Sequence, residues 1–418
     1  MQPLAKTIRL PQAIALYIGA VMGSGILAVP GLAAEMAGPA SLFAWGVMLV
    51  LMLPMALVMG WLSTRHPHAG GVSHFVRLTF GERAGACVGW FFLISVAIGS
   101  PVNALIGAGY LSTSLGLGEG VRILLAAVLL GITLLIHWRG MHLGGNVQIL
   151  IVTAIIAVLL MVIVGSAPHI ESAHFTPVAP NGWMAVGQSA TILFWCFIGW
   201  EAVSHLSGEF VDPRRDMIKS IVIASVIVGL LYFLTALATV GTASYGGGMS
   251  DASLVHVIDR IFGTGGKIVT GITGFLICTG TSITYGGAGA RLAYALAESG
   301  AAPKRLATLS GRQTPVGGIL FLAACFFVIL SLYATGMIPL KILLLLPNAS
   351  FLLTYLIGCA AGIRLLKDDP VGRKMSWISL IATGALLPFT GWSMLFPATI
   401  AVMVWVWTGR RRNITVSQ

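Results

Sequence analysis

Two short glycine-containing interruptions carry most of the chemistry this sequence can offer. The first is Val21-Met22-Gly23-Ser24-Gly25-Ile26, followed by Pro30, inside a long apolar run. The second is Phe194-Trp195-Cys196-Phe197-Ile198-Gly199-Trp200-Glu201, again inside an apolar run and ending on a carboxylate. A glycine in a helix interior costs about 1 kcal/mol relative to alanine, so Gly23 and Gly25 around a serine invite local unwinding. Unwinding frees backbone N–H and C=O groups that lipid cannot satisfy. It is tolerable only where the gap lines a cavity or holds something.

The half-helix after Ser24 would present unpaired N–H groups and positive dipole, which suit a carboxylate. The half-helix ending near Cys196 and Ile198 would present unpaired carbonyls, which suit an ammonium. Together they would receive the backbone of an α-amino acid without any charged side chain. Glycines in membrane helices also serve close packing. Two interruptions at matching places, one carrying a mid-membrane carboxylate, favour a ligand site. Glu201 itself has two readings that its residue type leaves open. It is either a proton carrier in a partly dry site or an acceptor for backbone N–H groups freed by the break. His205 lies one turn further on the same helical face, near the expected inner end, where solvation is the plainer expectation.

The elements that must position these groups follow from composition. Hydrophobic residues make up 57% of 418 positions and charged residues 9%, against about 25% charged in soluble domains. So few charges nearly exclude a water-soluble enzyme. Apolar runs predict an all-α polytopic membrane protein with about twelve spans, at 11–34, 40–62, 84–114, 121–137, 143–166, 184–207, 217–240, 266–295, 316–334, 340–365, 376–390 and 392–408. Gly25 and Gly199 are 174 residues apart, which places the two interruptions in spans one and six. Interrupted spans in corresponding places of five-span halves point to an inverted-repeat secondary transporter. The expected organisation is a first five-helix repeat over 1–166, a second over 184–365, two additional helices over 376–408 and a basic tail over 409–418.

Charge placement explains the net +11. Of the 24 Lys and Arg, twenty fall in one set of loops, and Arg122, Arg260, Lys267 and Lys341 fall in the other. The positive-inside rule puts the basic set in the cytoplasm, with both termini. The charge is a topology signal, so no nucleic-acid partner is implied. The five cysteines sit singly in apolar runs without ligand spacing, so neither a metal nor a cofactor is expected. Residues 73–80 are too short and mixed to span, and read as an amphipathic segment on the inner surface. The outer loops near 167–183 and 241–265 are long enough to cover a vestibule. Asn413-Ile414-Thr415 matches a glycosylation sequon but falls in the inner tail.

Val21–Ile26 with Pro30, the RHPHAGG loop at 65–71, Trp138-Arg139-Gly140, Phe197–Glu201 and Glu209 with Asp212-Pro213-Arg214 resemble the amino acid–polyamine–organocation (APC) superfamily. The resemblance runs over essentially the whole chain. Within that superfamily, Gly70–Phe75 and Phe194–Gly199 are similar to bacterial exporters of methionine and branched-chain amino acids. It implies a leucine-transporter-like fold with broken helices one and six in a five-plus-five repeat. It implies carboxylate binding at Gly23, Ser24 and Gly25, with Ile26 beside them, and ammonium binding by carbonyls near Val21, Trp195, Cys196, Ile198 and Gly199. Trp195 matches an aromatic that closes over substrate, and Phe197 is its neighbour in gating. Span five lacks a lysine, so relatives that place a cation there offer no template. Thr279, Thr281, Ser282 and Thr284 read as back-bonding hydroxyls rather than sodium ligands. That leaves the coupling ion open, with Glu201 the candidate for proton coupling and sodium the less expected ion.

Side-chain pocket candidates are Ile98, Ser100, Asn103, Cys278 and Ser282. Apart from Glu201 no ionised side chain is expected to face the cavity, which suits leucine, isoleucine, valine or methionine. The leading reading is a secondary carrier exporting methionine and branched-chain amino acids across a bacterial inner membrane by alternating access. An uptake permease or exchanger of the same superfamily is the alternative. A channel needs a continuous polar pore that the scattered hydroxyls do not form, and an enzyme needs paired acids or a nucleophile with its base.

Overall fold

The computed structural model describes residues 6–246, 253–311 and 313–416. Arg312 and residues 247–252 of the long outer loop lie outside the described residues, as does the end of the basic tail at 417–418. The described residues are helical and contain no strand, the only sheet-like contact among them being one bridge between Ile8 and Phe210. Among the described residues, ten stretches are long and apolar enough to cross a membrane, and Leu10–Val21 is a shorter apolar helix.

In chain order the helices are α1 (Leu10–Val21), α2 (Gly25–Ala37), α3 (Ser41–Arg65), α4 (Gly71–Phe80), α5 (Glu82–Ser114), α6 (Glu119–Trp138) and α7 (Met141–Ser166). There follow α8 (Gly182–Leu193), α9 (Pro213–Gly241), α10 (Ser253–Phe262), α11 (Gly266–Glu298), α12 (Val316–Ala334), α13 (Leu340–Leu365), α14 (Pro370–Gly384) and α15 (Leu395–Val416). The amphipathic segment expected at 73–80 is α4. The outer loop contains α10, a helix not expected there.

The span expected at 376–390 begins earlier, at Pro370. Asp369 accepts from Val371 N (3.1 Å) and Gly372 N (3.0 Å) as N-cap, and Pro370 occupies the first helical position. The polar, charged start lies outside the apolar run that predicts the span. The cap is what makes it a helix.

Both glycine-containing spans are interrupted. In the first, α1 ends at Val21, Gly23 N turns back to Val21 O (2.9 Å), and helix resumes at Gly25. In the second, α8 tightens into a 3-10 turn at Phe194–Phe197, then Ile198 is extended (ψ 136°) and Gly199 sits at φ +143°. A second 3-10 stretch, Ala202–Glu209, completes the segment.

Two 33-residue helices, α5 and α11, run alongside one another past both breaks. Small residues let them approach: a methyl on Gly107 would lie 2.6 Å from Cys278 Cβ, and one on Gly274 2.7 Å from Tyr110 Cβ. At one end the N-terminal segment is strapped to the broken span. Thr7 N and Ile8 N donate to Glu209 O (2.9 and 3.0 Å), and Val211 N donates to Ile8 O (3.0 Å). Beneath that strap the Arg291 guanidinium of α11 forms a buried ion pair with Glu209. On the same face His68 and His74 stack with ring centroids 4.0 Å apart and Arg77 beside them.

Two predictions follow from these contacts. Glu209→Gln leaves a buried guanidinium without its counter-charge, which costs about 3–5 kcal/mol. The purified variant is expected to melt well below wild type, with Arg291→Met on the same chain restoring most of the loss. Equal melting of E209Q and wild type would remove the ion pair from the stability account. For the histidines, burial first and neighbouring positive groups second push His68 down to about 4 and His74 down to about 3. Both are neutral in the fold at pH 7, and an unfolded chain binds protons sooner. Their stability contribution is complete above about pH 6.5 and is lost as pH falls toward those values. Melting temperature should drop between pH 7 and pH 5, and H68N/H74N should flatten that slope.

Candidate substrate site between the two breaks

The interruptions face each other. A methyl placed on Gly199 would lie 2.8 Å from Ala20 C and 2.9 Å from Val21 Cα, and one on Gly25 would lie 2.7 Å from Cys196 Sγ. Backbone therefore packs directly on backbone where the chain leaves helical geometry. Between them is a cavity whose empty space, its open mouth included, is about 540 Å³.

Of the residues expected at the site, Val21, Gly23, Ser24, Gly25, Trp195, Ile198, Ser100, Asn103 and Ser282 line this cavity. Ile26, Cys196 and Gly199 stand behind it in the packing of the breaks. Phe197 does not reach it: its ring lies between Trp45 (5.9 Å) and Tyr232 (5.6 Å), so Trp195 alone of the expected gating pair borders the space. Ile98 turns instead into a small apolar cluster with Val102 and Leu343. Cys278 packs on Gly107 and contributes only its carbonyl, which accepts from Asn103 Nδ2 (2.7 Å). The helical phase of α5 explains the departure of Ile98, since Ser95, Val96, Gly99, Ser100 and Asn103 share one face, and close packing of α11 on Gly107 takes up Cys278.

Asn103 is the hinge pin of the site. Its Oδ1 accepts from Ser24 N (3.4 Å), while Nδ2 donates to Cys278 O and to Ser282 Oγ (3.2 Å). Thr281 Oγ1 donates to Met22 O (3.2 Å) and to Ile277 O (3.3 Å). Thr284 Oγ1 donates to Leu16 O (3.2 Å), and Thr279 Oγ1 back-bonds to Phe275 O (2.7 Å). Helix α9 adds Tyr232, whose hydroxyl donates to Val21 O (2.7 Å). That carbonyl also accepts from Gly23 N (2.9 Å), so both of its lone pairs are engaged within the protein. Ser100 Oγ is buried and has no partner among the described residues, so it is free to meet an occupant.

Glu201 is fully buried and tightly held. Its Oε1 accepts from Tyr285 OH (3.0 Å), and its Oε2 accepts from Gly199 N (2.9 Å) and from Tyr355 OH. The same Tyr355 oxygen accepts from Gly199 N (3.2 Å) and Glu201 N (3.3 Å). This is the arrangement of a carboxylate that satisfies freed backbone N–H groups. His205 is buried against Phe92 (ring centroids 4.2 Å) and Gly71, contrary to the solvated position expected for it.

The sequence reading missed Ala20, Ser95, Val96, Gly99, Thr281, Tyr285 and Phe351 in the cavity wall, together with Tyr232 and Tyr355 behind it. Period-four spacing from Asn103 back to Gly99 and Ser95 was the signal available for α5. The tyrosines come from α9, α11 and α13, whose rotation a single sequence does not give. Among the described residues, no Asp, Glu, Lys, Arg or His side chain lines the cavity.

A family profile described as amino acid permease matches residues 8–411. The chain belongs to the amino acid permease family. It is 36% identical to an uncharacterized amino acid permease of Bacillus subtilis, YecA, over 95% of this chain and 94% of that protein. It is 31% identical to the L-methionine/branched-chain amino acid exporter YjeH of Escherichia coli, over 99% of this chain and 98% of that protein. The branched-chain amino acid permease BcaP of Lactococcus lactis is 26% identical over 76% and 73% of the two chains. As a permease the chain is a multi-span membrane transporter of amino acids, and not an enzyme.

The geometry gives a direct test of the facing breaks. Gly199→Ala would place a methyl inside the van der Waals radius of Ala20 and demand a left-handed backbone that alanine resists. Amino acid binding by G199A, measured by scintillation proximity on purified protein, is expected to fall below detection. Gly25→Val, which collides with Cys196, should behave likewise while still inserting in the membrane. Wild-type binding by both would show that the breaks need not touch.

Proposed function

We propose that this permease is a secondary active transporter of neutral amino acids, exporting L-methionine, leucine, isoleucine and valine from a bacterial cell across its inner membrane. The observation that carries this reading is an uncharged cavity bounded on two sides by interrupted helices. The carboxylate would sit at the N-terminal end of α2, on the peptide groups of Gly23, Ser24 and Gly25. The ammonium would meet the carbonyls at the end of the 3-10 turn, Trp195 to Ile198, beside Val21. Trp195 would close over the substrate. The side chain would lie along α5 and α11, against Ser100 and Ser282, where no charge competes with an apolar tail.

Alternating access would rock two five-helix repeats, 1–166 and 184–365, about this site, with residues 376–408 outside the repeats. The charge distribution of twenty basic residues against four supports cytoplasmic placement of the basic face and of both termini. Export is supported by the full-length similarity to the Escherichia coli exporter. Uptake has its own support in the similarity to BcaP, and the same cavity serves either direction because gradients decide the flux. Glu201 is the proposed proton-coupling group, since protonation would loosen the carboxylate's hold on Gly199 N and both tyrosines.

The test is counterflow of labelled methionine in proteoliposomes, with unlabelled amino acids and imposed proton or sodium gradients. Saturable exchange inhibited by leucine, isoleucine and valine, and driven by a proton gradient, is the expected result. Conductance of many ions without exchange would replace the carrier with a channel. E201Q should abolish the proton dependence, and an unchanged pH profile would leave Glu201 a purely structural acceptor.

A further inference from the structure

Three glycines line the cavity, and packing accounts for only two. A methyl on Gly25 would meet Cys196 Sγ at 2.7 Å, and one on Gly23 would meet Thr281 Oγ1 at 3.1 Å. Gly99 differs. A methyl there would meet only Pro347 Cβ and Cγ at 3.8 Å, which is ordinary contact. Its backbone angles are those of the middle of α5 and not of the left-handed region. Glycine is among the poorest helix formers, so its place in mid-helix is explained neither by crowding nor by conformation. What the missing side chain leaves is space in the cavity.

That space has a definite position. Gly99 lies one helical turn from Asn103, about 6 Å along the axis, and Asn103 holds Ser24 N at the proposed carboxylate end. The wall beyond is apolar, with Val96 on the same face of α5 and Phe351 across from it. We propose that Gly99 sets the upper length of the substrate side chain, admitting tails the size of leucine and methionine. The proposal rests on the neutral amino acid reading above. An added methyl fits the protein and occupies the volume that the distal atoms of such a tail would fill.

The test is Gly99→Ala in proteoliposomes, reading inhibition of labelled valine counterflow by unlabelled alanine, valine, leucine and methionine. Loss of one methylene's room changes discrimination by roughly 10- to 200-fold. In G99A the half-inhibiting concentrations of leucine and methionine should rise at least about tenfold, while those of alanine and valine stay near wild type. An unchanged ranking overturns the proposal. So does a uniform loss for all four, which would mean that Gly99 serves helix flexibility. A G99A protein that fails to fold overturns it as well, because the claim is that the protein has room. Wild-type protein without counterflow of any of the four would instead bring down the neutral amino acid reading, and this proposal with it.

Discussion

A peptide group in the interior of a membrane protein must find a partner, because nothing in the surrounding hydrocarbon can supply one. Each such group left bare in a buried place costs about 1–3 kcal/mol. The two breaks in this chain free several at once, and the structure disposes of them through side chains drawn from four other helices. Thr281 of α11 takes Met22 O, Tyr232 of α9 takes Val21 O, Asn103 of α5 takes Ser24 N, and Tyr355 of α13 reaches Glu201 N. Glu201 closes the set by accepting from Gly199 N two residues back. The groups these contacts do not saturate border the cavity.

The same tie-offs couple the breaks to the ends of the molecule. On the basic face, the strap of Ile8 on Phe210 and the buried Arg291–Glu209 pair join α1, the Ala202–Glu209 segment and α11. Toward the other end, Ser253 at the start of α10 inserts into the ladder of α2, its Oγ accepting from Gly31 N (3.1 Å). A side chain placed in a helix ladder is a recognised cause of bending, and here it ties the loop helix to the half-helix that faces the cavity. A displacement of α2 must therefore exchange contacts at Asn103, Thr281 and Ser253 together. Such a set has discrete arrangements and does not deform continuously.

Most of the architecture was legible because lipid enforces a simple code. Long apolar runs gave the spans, and the glycines at 23, 25 and 199 gave the breaks without a comparison of any kind. Where the reading failed, the missing information was rotational or distant in sequence. The phase of α5 turns Ile98 away from the space, while Cys278 shares the face of Thr281 and Ser282 but is buried one turn away against Gly107. Phe197 was grouped with Trp195 although the 3-10 turn sends its ring into the aromatic set of Trp45 and Tyr232. Tyr355 is 154 residues from Glu201, and no local pattern marks it. The start of α14 was lost for the opposite reason, since a charged cap reads as loop until its two N–H contacts are seen.

Selectivity in such a site has to come from the walls. Every α-amino acid offers the same carboxylate and ammonium, and in the proposed site the peptide groups of the breaks would treat them alike. A charged tail would additionally need a counter-charge inside a poorly solvated cavity, where an unpaired ion is costly. Behind the cavity wall Glu201 bonds the lining Tyr285, and its oxygens are already engaged by Gly199 N, Tyr285 and Tyr355. Recruiting it for a cationic tail would release three donors to satisfy one. On the proposed reading, charged substrates would be disfavoured by the cost of undoing the break's own bonding, while apolar tails would be graded by size. Gradation by size is shallow, and the broad neutral selectivity proposed here is what that shallowness produces.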